Sequence, residues 1–438
     1  MMFQEQGVID RPQELTEYLY YKKTPIKWAL VVPSHWKIKA LKYIAKLQSG
    51  DTIRPDQFIE QGYPVFGGNG FRGFTKNYNN TGYFPLIGRQ GALCGNVNYS
   101  YGQFFASEHA VVVYPRANSV VTWLGESIRM ANFNRLSQST AQPGISVAVV
   151  ENEHFPVPPI GEQKAIANFI YRKNAQIDAA ISVKEQQITL LKERKQILIQ
   201  NVVTHGLNSD APMRDSGVEW IGTIPKHWWI KRAKYLFQEV DERSSYGQEE
   251  LLSVSHITGV TPRSEKNVTM FMAEDYTGSK TCQEGDLVFN IMWAWMGALG
   301  ISDRSGIVSS SYGIFRQAKT QAFNSQYLEM LLKTIGYIEH YNKVSTGLHS
   351  SRLRFYSHMF MAMEIGYPGW EEQSSIVDHI NRESSKLDKT ADLLQQQITK
   401  LKEYKATLIN SAVTGKIKMP GVVEPALDAS QLDAREVC

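Results

Sequence analysis

The chain has 438 residues, 42% of them hydrophobic and 21% charged, and a formal net charge of +4. That length suffices for about three domains, each with its own core, and the composition is that of a soluble globular protein without the run of about 18 apolar residues that a membrane span needs. So small a net charge excludes reading nucleic-acid binding from the overall balance, and any such surface has to be argued locally.

In chain order, the start, "MMFQEQGVIDRPQE", is polar and acidic. It lacks the basic start and apolar run of a secretion signal, so a cytoplasmic location is expected. Cys94, Cys282 and Cys438 are scattered and point to neither a disulfide framework nor a metal site. At Pro64 comes "PVFGGNGFRG", whose F-x-G-x-G is the pattern that ends a strand in many methyltransferases binding S-adenosylmethionine. The adjoining stretch, "FTKNYNNTGYF", is turn and hairpin material rather than a helix, which argues against a cofactor loop.

Strand-like runs come next at "FFASEHAVVVYP" from Phe104 and, in the second half, at "GDLVFNIMWAWMGALGIS" from Gly285. Between the runs lie short polar loops: "IGRQGALCGN" from Ile87, "STAQPGIS" from Ser139, "SSSYG" from Ser309 and "STGLHSSRLR" from Ser345. They offer hydroxyl, amide and guanidinium groups, the chemistry that meets base edges and phosphates, although ordinary solvated turns have the same composition. The stretch from Pro33 to Glu153 carries 11 Lys and Arg against 7 Asp and Glu, and Pro225 to Glu364 carries 15 against 14.

The chain repeats itself at long range. "PSHWKIKALKY" from Pro33 returns as "PKHWWIKRAKY" from Pro225, 192 positions on, and Trp28 and Trp220 precede the two copies equally. "QQITLLKERKQILIQNVVT" from Gln186 returns as "QQITKLKEYKATLINSAVT" from Gln396, 210 positions on. The segments between these matching frames do not match, which predicts a pseudo-twofold scaffold presenting two different surfaces.

The later frames predict long helices. Positions alternately four and three apart run Ile170, Asn174, Ile177, Ile181, Lys184, Ile188, Leu191, Lys195, Leu198 and Val202; their counterparts are Ile380, Ser384, Leu387, Ala391, Leu394, Ile398, Leu401, Lys405, Leu408 and Ala412. That is a heptad seam, and the two helices are expected to pair antiparallel. Gly206 and Gly415 stand where the patterns stop, as C-terminal caps do. The closing stretch "VVEPALDASQLDAREVC" has no apolar period and reads as a disordered tail.

The frame "EWIGTIPKHWWIKRAKYLF", the segment "PVPPIGEQKAI", the endings "VVTHG" and "AVTGK" and the loops "LIGRQGALCGN", "STAQPGIS" and "GLHSSRLR" together resemble the specificity subunit of type I restriction-modification systems. The resemblance runs from about Trp28 to Lys418 and lies in the order of frames and variable segments rather than in one motif. It implies a mixed α+β fold, in which two β-rich α/β target recognition domains are held apart by two long antiparallel coiled-coil helices related by a pseudo-twofold repeat. The domains would be residues 1–155 and 208–365, the helical spacers 156–207 and 366–418, and the tail 419–438. It implies partners as well: double-stranded DNA, two methyltransferase subunits and restriction or translocase subunits, with no membrane.

No cofactor or metal would be bound by this chain, S-adenosylmethionine belonging to the methyltransferase subunits. Base or backbone contacts would come from Asn69, Arg72, Lys76, Arg89, Gln90, Ser139 and Gln142 in the first domain. In the second they would come from Asn290, Ser310, Tyr312, His349, Ser350 and Arg352. Ile170, Ile177, Ile188, Leu191 and Leu198 would form the seam with Leu387, Leu394, Ile398, Leu401 and Leu408. One departure is that "KWALVVPSHW" lacks the glycine that the second frame has at Gly222.

Two other classes stay open. A fused methyltransferase would need [NDS]-P-P-[YFW], yet "VPPI" at Val157 has valine where the polar group belongs. A nuclease built on "ERK" at Glu193 or "EYK" at Glu403 would sit on heptad helices, and no Walker A lysine loop is present. A coiled-coil adaptor whose inserts bind proteins is the third reading.

Overall fold

The computed structural model describes residues 16–91, 93–137, 143–266, 275–319, 321–347 and 353–426. It divides into two compact units, residues 1–184 with 396–438, and residues 185–395.

In the first unit the valine-rich run becomes the centre of a sheet. Ala45–Ser49 (β1), Phe84–Gly88 (β2), Val97–Ser100 (β3) and Ala110–Pro115 (β4) pair antiparallel in the order β3-β2-β4-β1. Val111, Val112 and Val113 are all buried, as an unbroken β-branched run in a strand covered on both faces should be. A second sheet carries the hairpin of Tyr63–Gly67 and Gly70–Thr75, so "PVFGGNGFRG" is two antiparallel strands joined by a tight turn. The strands Asn80–Thr81 and Phe84–Gly88 follow it directly, in agreement with the reading of "FTKNYNNTGYF" as turn and hairpin material rather than a helix.

The second unit uses the same plan. Phe237–Glu239 (β5), Leu287–Phe289 (β6), Leu299–Ile301 (β7) and Gly313–Gln317 (β8) lie in the order β7-β6-β8-β5. The apolar run from Gly285 is therefore two short strands, because Asn290 and the left-handed Gly297 (φ 79°) turn the chain between them. A large aromatic core, with Phe289, Phe315, Tyr327, Tyr341 and Phe360 all fully buried, backs this sheet.

The frames repeat in detail. Tyr21–Lys23 pairs with Val31–Pro33, and Met213–Asp215 with Thr223–Pro225, 192 positions on. Lys37–Ala40 pairs with His154–Val157, and Trp229–Arg232 with Glu364–Tyr367. The Lys22 ammonium donates to the Trp36 carbonyl, as Arg214 does to that of Trp228 at 2.8 Å. The missing glycine changes little: Thr24 N donates to Leu30 O at 2.8 Å as Ser216 N does to Gly222 O at 3.0 Å. Only Gly222 is left-handed there, at φ 69°.

Ile160–His205 (α1) and Trp370–Val413 (α2) are the two long helices, and each contributes to both units. Within the first unit they run antiparallel, with Lys184 Nζ 2.6 Å from Gln397 Oε1 and Lys405 Nζ 2.7 Å from Asp178 Oδ2. Within the second, Lys195 Nζ lies 2.7 Å from Asp388 Oδ2. Lys195–Asp388 and Lys405–Asp178 are one ion pair made twice, since each residue recurs 210 positions away. Ile170, Ile177, Ile398 and Leu408 of the seam are buried, and Ile188, Leu191, Leu198, Leu387, Leu394 and Leu401 are half-buried among exposed neighbours. Gly206 (φ 78°) and Gly415 (φ 72°) end the helices in the left-handed conformation.

The expected tail needs correcting over its described part. Met419 is buried, and the Glu424 carboxylate accepts from Leu19 N at 3.0 Å and from Lys418 Nζ at 2.9 Å. The sequence there is polar, but a single carboxylate satisfying a backbone amide and a lysine ties it down. Residues 427–438 lie outside the described part. Lys418 N donates to Thr16 O at 2.7 Å. Both residues correspond to Asn208 of the linker, Lys418 by the offset of 210 and Thr16 by that of 192, so two chain segments meet where the second unit has one continuous chain.

Candidate nucleic-acid interface

Each unit builds its surface on a clasp at the start of a long helix. Glu162, in the first turn of α1, accepts from Trp36 Nε1 at 2.8 Å and Tyr18 Oη at 3.1 Å, and its other oxygen lies 2.6 Å from His35 Nε2. Burial and the Glu162 carboxylate push the Tyr18 hydroxyl far above its usual range, so it stays a donor. Glu372 repeats the arrangement with Trp228 Nε1 at 3.1 Å and His227 Nε2 at 2.8 Å. The next residues match too: Gln163 holds Val120 N and the carbonyls of Asn118 and Pro158, and Gln373 holds Asn324 N and the carbonyls of Ala322 and Pro368. Acids at a helix N-terminus are favoured by its dipole. The sequence reading missed these four residues, although their recurrence at the offset of 210 was the signal.

On the first unit's sheet, the loop after β2 is closed from the side. Ile145 N donates to Arg89 O at 3.0 Å and Gly91 N to Pro143 O at 2.9 Å, so the "GRQG" and "PGIS" segments lie together. The hairpin turn packs on the same loop: a Cβ on Gly88 would lie 2.1 Å from Gly68 O, and one on Gly68 would lie 3.0 Å from Gln90 O. The glycines of "FGGNG" thus serve loop-to-loop packing and, at Gly70 (φ 91°), a left-handed turn; approach to a phosphate is not needed to explain them.

Asn69, Arg89 and Gln90 are brought together in this way, and Arg72, exposed, stays close through its contact with Gly67. Arg89 makes one long contact, 3.5 Å from Ser49 Oγ. A cavity of about 260 Å³ opens between Arg89, Gln90, Gly144 and Ser146. Lys76 is exposed but lies past the far end of Gly70–Thr75, roughly 20 Å from the turn at about 3.3 Å per residue. Ser139 and Gln142 lie outside the described residues.

In the second unit Ser310 and Tyr312 line a cavity of about 440 Å³ with Arg263, which the sequence reading did not select. Asn290 does not belong to the surface. It is buried, its Nδ2 donates to Val254 O at 3.3 Å and Tyr312 Oη at 3.1 Å, and its Oδ1 accepts from Met292 N at 3.2 Å, so its amide is engaged in shaping the loop. His349, Ser350 and Arg352 lie outside the described residues, but the flanking Thr346 and Arg354 pair in a bridge and Phe355 N donates to Ile291 O at 3.0 Å. Phe355 therefore lies beside the loop after β6.

Among the described residues no group of three or more His, Cys, Asp and Glu is placed to hold a metal ion. Nor, among them, is any helix long and apolar enough to cross a membrane. The site's resources are hydrogen-bond donors and acceptors on short, braced loops.

Residues 33–192 match the family model of the type I restriction modification DNA specificity domain. A curated relative, the type I restriction enzyme EcoprrI specificity subunit of Escherichia coli, is 41% identical over 136 residues, which is 30% of this chain and 34% of that protein. The chain thus spans about a third of the length of that relative. The MjaVIII specificity subunit of Methanocaldococcus jannaschii is 23% identical over 301 residues, 65% of this chain and 66% of that protein. Two solved structures share the fold at 13% identity. One, from work on complex assembly and conformational transition of the type I R-M system, has a TM-score of 0.56 and covers 87% of this chain and 98% of its own. The other, the HsdS subunit of Thermoanaerobacter tengcongensis, has a TM-score of 0.50 and covers 90% and 99%. The resemblance and the mixed fold drawn from the sequence are met by these likenesses.

Proposed function

We propose that the chain is the DNA sequence-specificity subunit of a type I restriction-modification complex, each unit reading one half of a bipartite duplex target. The observation that carries this reading is a single sheet-and-loop plan used twice with unlike side chains, which suits two unlike half-sites. Arg72, Arg89 and Gln90 offer the forked and amide donors that match guanine and adenine edges in the major groove. The chain leaves chemistry to its partners: two methyltransferase subunits, which bring S-adenosylmethionine and dock on the helices, and restriction or translocase subunits. The complex works in the cytoplasm. With so little net charge here, those subunits supply much of the salt-dependent grip on phosphate.

The test is the methylation pattern of the host genome with and without this gene. A split motif that disappears on deletion is expected, and an unchanged pattern would overturn the proposal. Exchanging residues 33–153 for those of another family member should alter one half of the motif and leave the other intact; a change in both halves would mean one composite reading surface.

A further inference from the structure

The loops after β2 and β6 are the same element with opposite chemistry. Gly88 N donates to Asn96 O and Asn290 N to Ala298 O, each at 2.9 Å; Cys94 N donates to Gly91 O at 3.0 Å and Met296 N to Trp293 O at 2.9 Å. Both end on a left-handed glycine, Gly95 (φ 81°) and Gly297 (φ 79°), and both are closed by an amide from the flanking loop, that of Ile145 or Phe355. Residue by residue, Gly91 therefore corresponds to Trp293, Leu93 to Trp295 and Ser146 to Tyr356. The first unit has no side chain at Gly91, and a Cβ there would meet nothing within 4 Å. The second places an indole at that point, 47% exposed.

This indole is held in place. Trp295 stacks on it at 5.8 Å and 28°, and the Trp295 Nε1 donates to Met292 O at 3.0 Å. The buried Ala294 and the buried amide of Asn290 anchor the loop beneath. Tyr356, also exposed, stacks on His358 beside it. Isolated exposed aromatics are ordinary, but a braced pair on a loop tip is not explained by folding. The segments 287–298, 309–313 and 353–358 carry Arg354 and His358, while Glu339 lies on the helix Ile335–Val344 that packs against Ala294–Met296 and Asp275 lines the cavity of Ser310 and Tyr312. A braced indole at the place of Gly91, on the counterpart of the loop that carries Arg89 and Gln90, offers a flat apolar face of the kind on which a base stacks.

We propose that Trp293 stacks on a nucleobase at an opened base step of the duplex, so that the second unit grips its half-site by stacking where the first uses hydrogen bonds. This rests on the DNA-reading function above. Stacking of a base on an aromatic side chain is sequence-tolerant and independent of phosphate neutralisation.

The experiment uses the full chain assembled with its methyltransferase subunits and the duplexes which that complex selects from a randomised pool. Trp293→Ala should weaken binding roughly 5- to 100-fold, with the slope of affinity against salt unchanged, while Trp293→Phe keeps most of the affinity. In the wild-type complex, 5-iodouracil moved through the half-site should photocrosslink to the protein at one step, and the Ala variant should abolish that crosslink. Wild-type affinity in Trp293→Ala, no crosslinked step with the wild type, or loss of methyltransferase assembly in the variant would each overturn the stacking role, the last by making the face a protein contact. Failure of the wild-type complex to select any duplex would instead sink the DNA-reading function itself.

Discussion

Glu162 and Glu372 make the same contacts in different surroundings, and that difference sets what each is worth. The Glu162 side chain is 6% exposed, whereas that of Glu372 is 30% exposed and its partner His227 57%. Glu162→Ala leaves the Trp36 indole N–H and the Tyr18 hydroxyl without their acceptor in a dry site, at about 2 to 5 kcal/mol. Glu372→Ala, where water replaces the lost oxygen, should cost less than half of that. Thermal melting of the two variants decides, and equal losses would mean that burial does not govern the clasp. Arg89 is the opposite case, half-buried with one long contact to Ser49. Arg89→Ala should leave the melting temperature unchanged while discrimination at one base position falls by about 1 to 3 kcal/mol. A uniform loss over single-base variants of the target, or a salt slope reduced by about one, would make this arginine a phosphate contact.

The helices show how a narrow stripe is covered. Along α1 and α2 the seam positions are buried or half-buried while most of their neighbours are exposed, and lysines within the seam reach across to carboxylates or an amide on the partner helix. Replacing Leu191 or Leu401 with Asp would set a carboxylate against the apolar stripe, at a cost of about 2 to 4 kcal/mol given that both sites are only half-buried. Urea unfolding measures the loss, and full stability together with unchanged subunit assembly would refute the paired seam. The ion pairs Lys195–Asp388 and Lys405–Asp178 are exposed enough on the acid side that each contributes only about 0.2 to 1 kcal/mol. Their value is in register: each lysine finds its carboxylate only when the helices are aligned as observed.

For the whole molecule, truncation after Pro420 is expected to destabilise the first unit, because it removes the Glu424 carboxylate from Leu19 N and Lys418 and uncovers Met419. A melting temperature several degrees lower should result, and an unchanged one would mean that these contacts are not made in solution. The duplicated frame, the two long helices, their caps and the presence of two unlike inserts were legible in the sequence, since each depends on identity at a fixed offset or on a period of three to four residues. That no helix directly follows "PVFGGNGFRG" was legible for a similar reason, the turn chemistry of "FTKNYNNTGYF" being local, whereas the pairing of "PVFGGNGFRG" on itself was not read. Beyond reach was which loops share a face. Gly68, next to Asn69, adjoins Gln90 because two sheets bring distant segments together, Lys76 falls away because its strand runs the other way, and Asn290 turns inward because Tyr312 and Val254 O wait beneath it. The aromatic tip at Trp293 read as part of a strand for the same cause. Sequence alone determined the scaffold, whose signals are periodic or repeated; the tertiary structure decided the reading surface, because strand order and register, which no short window contains, choose the neighbours of every loop.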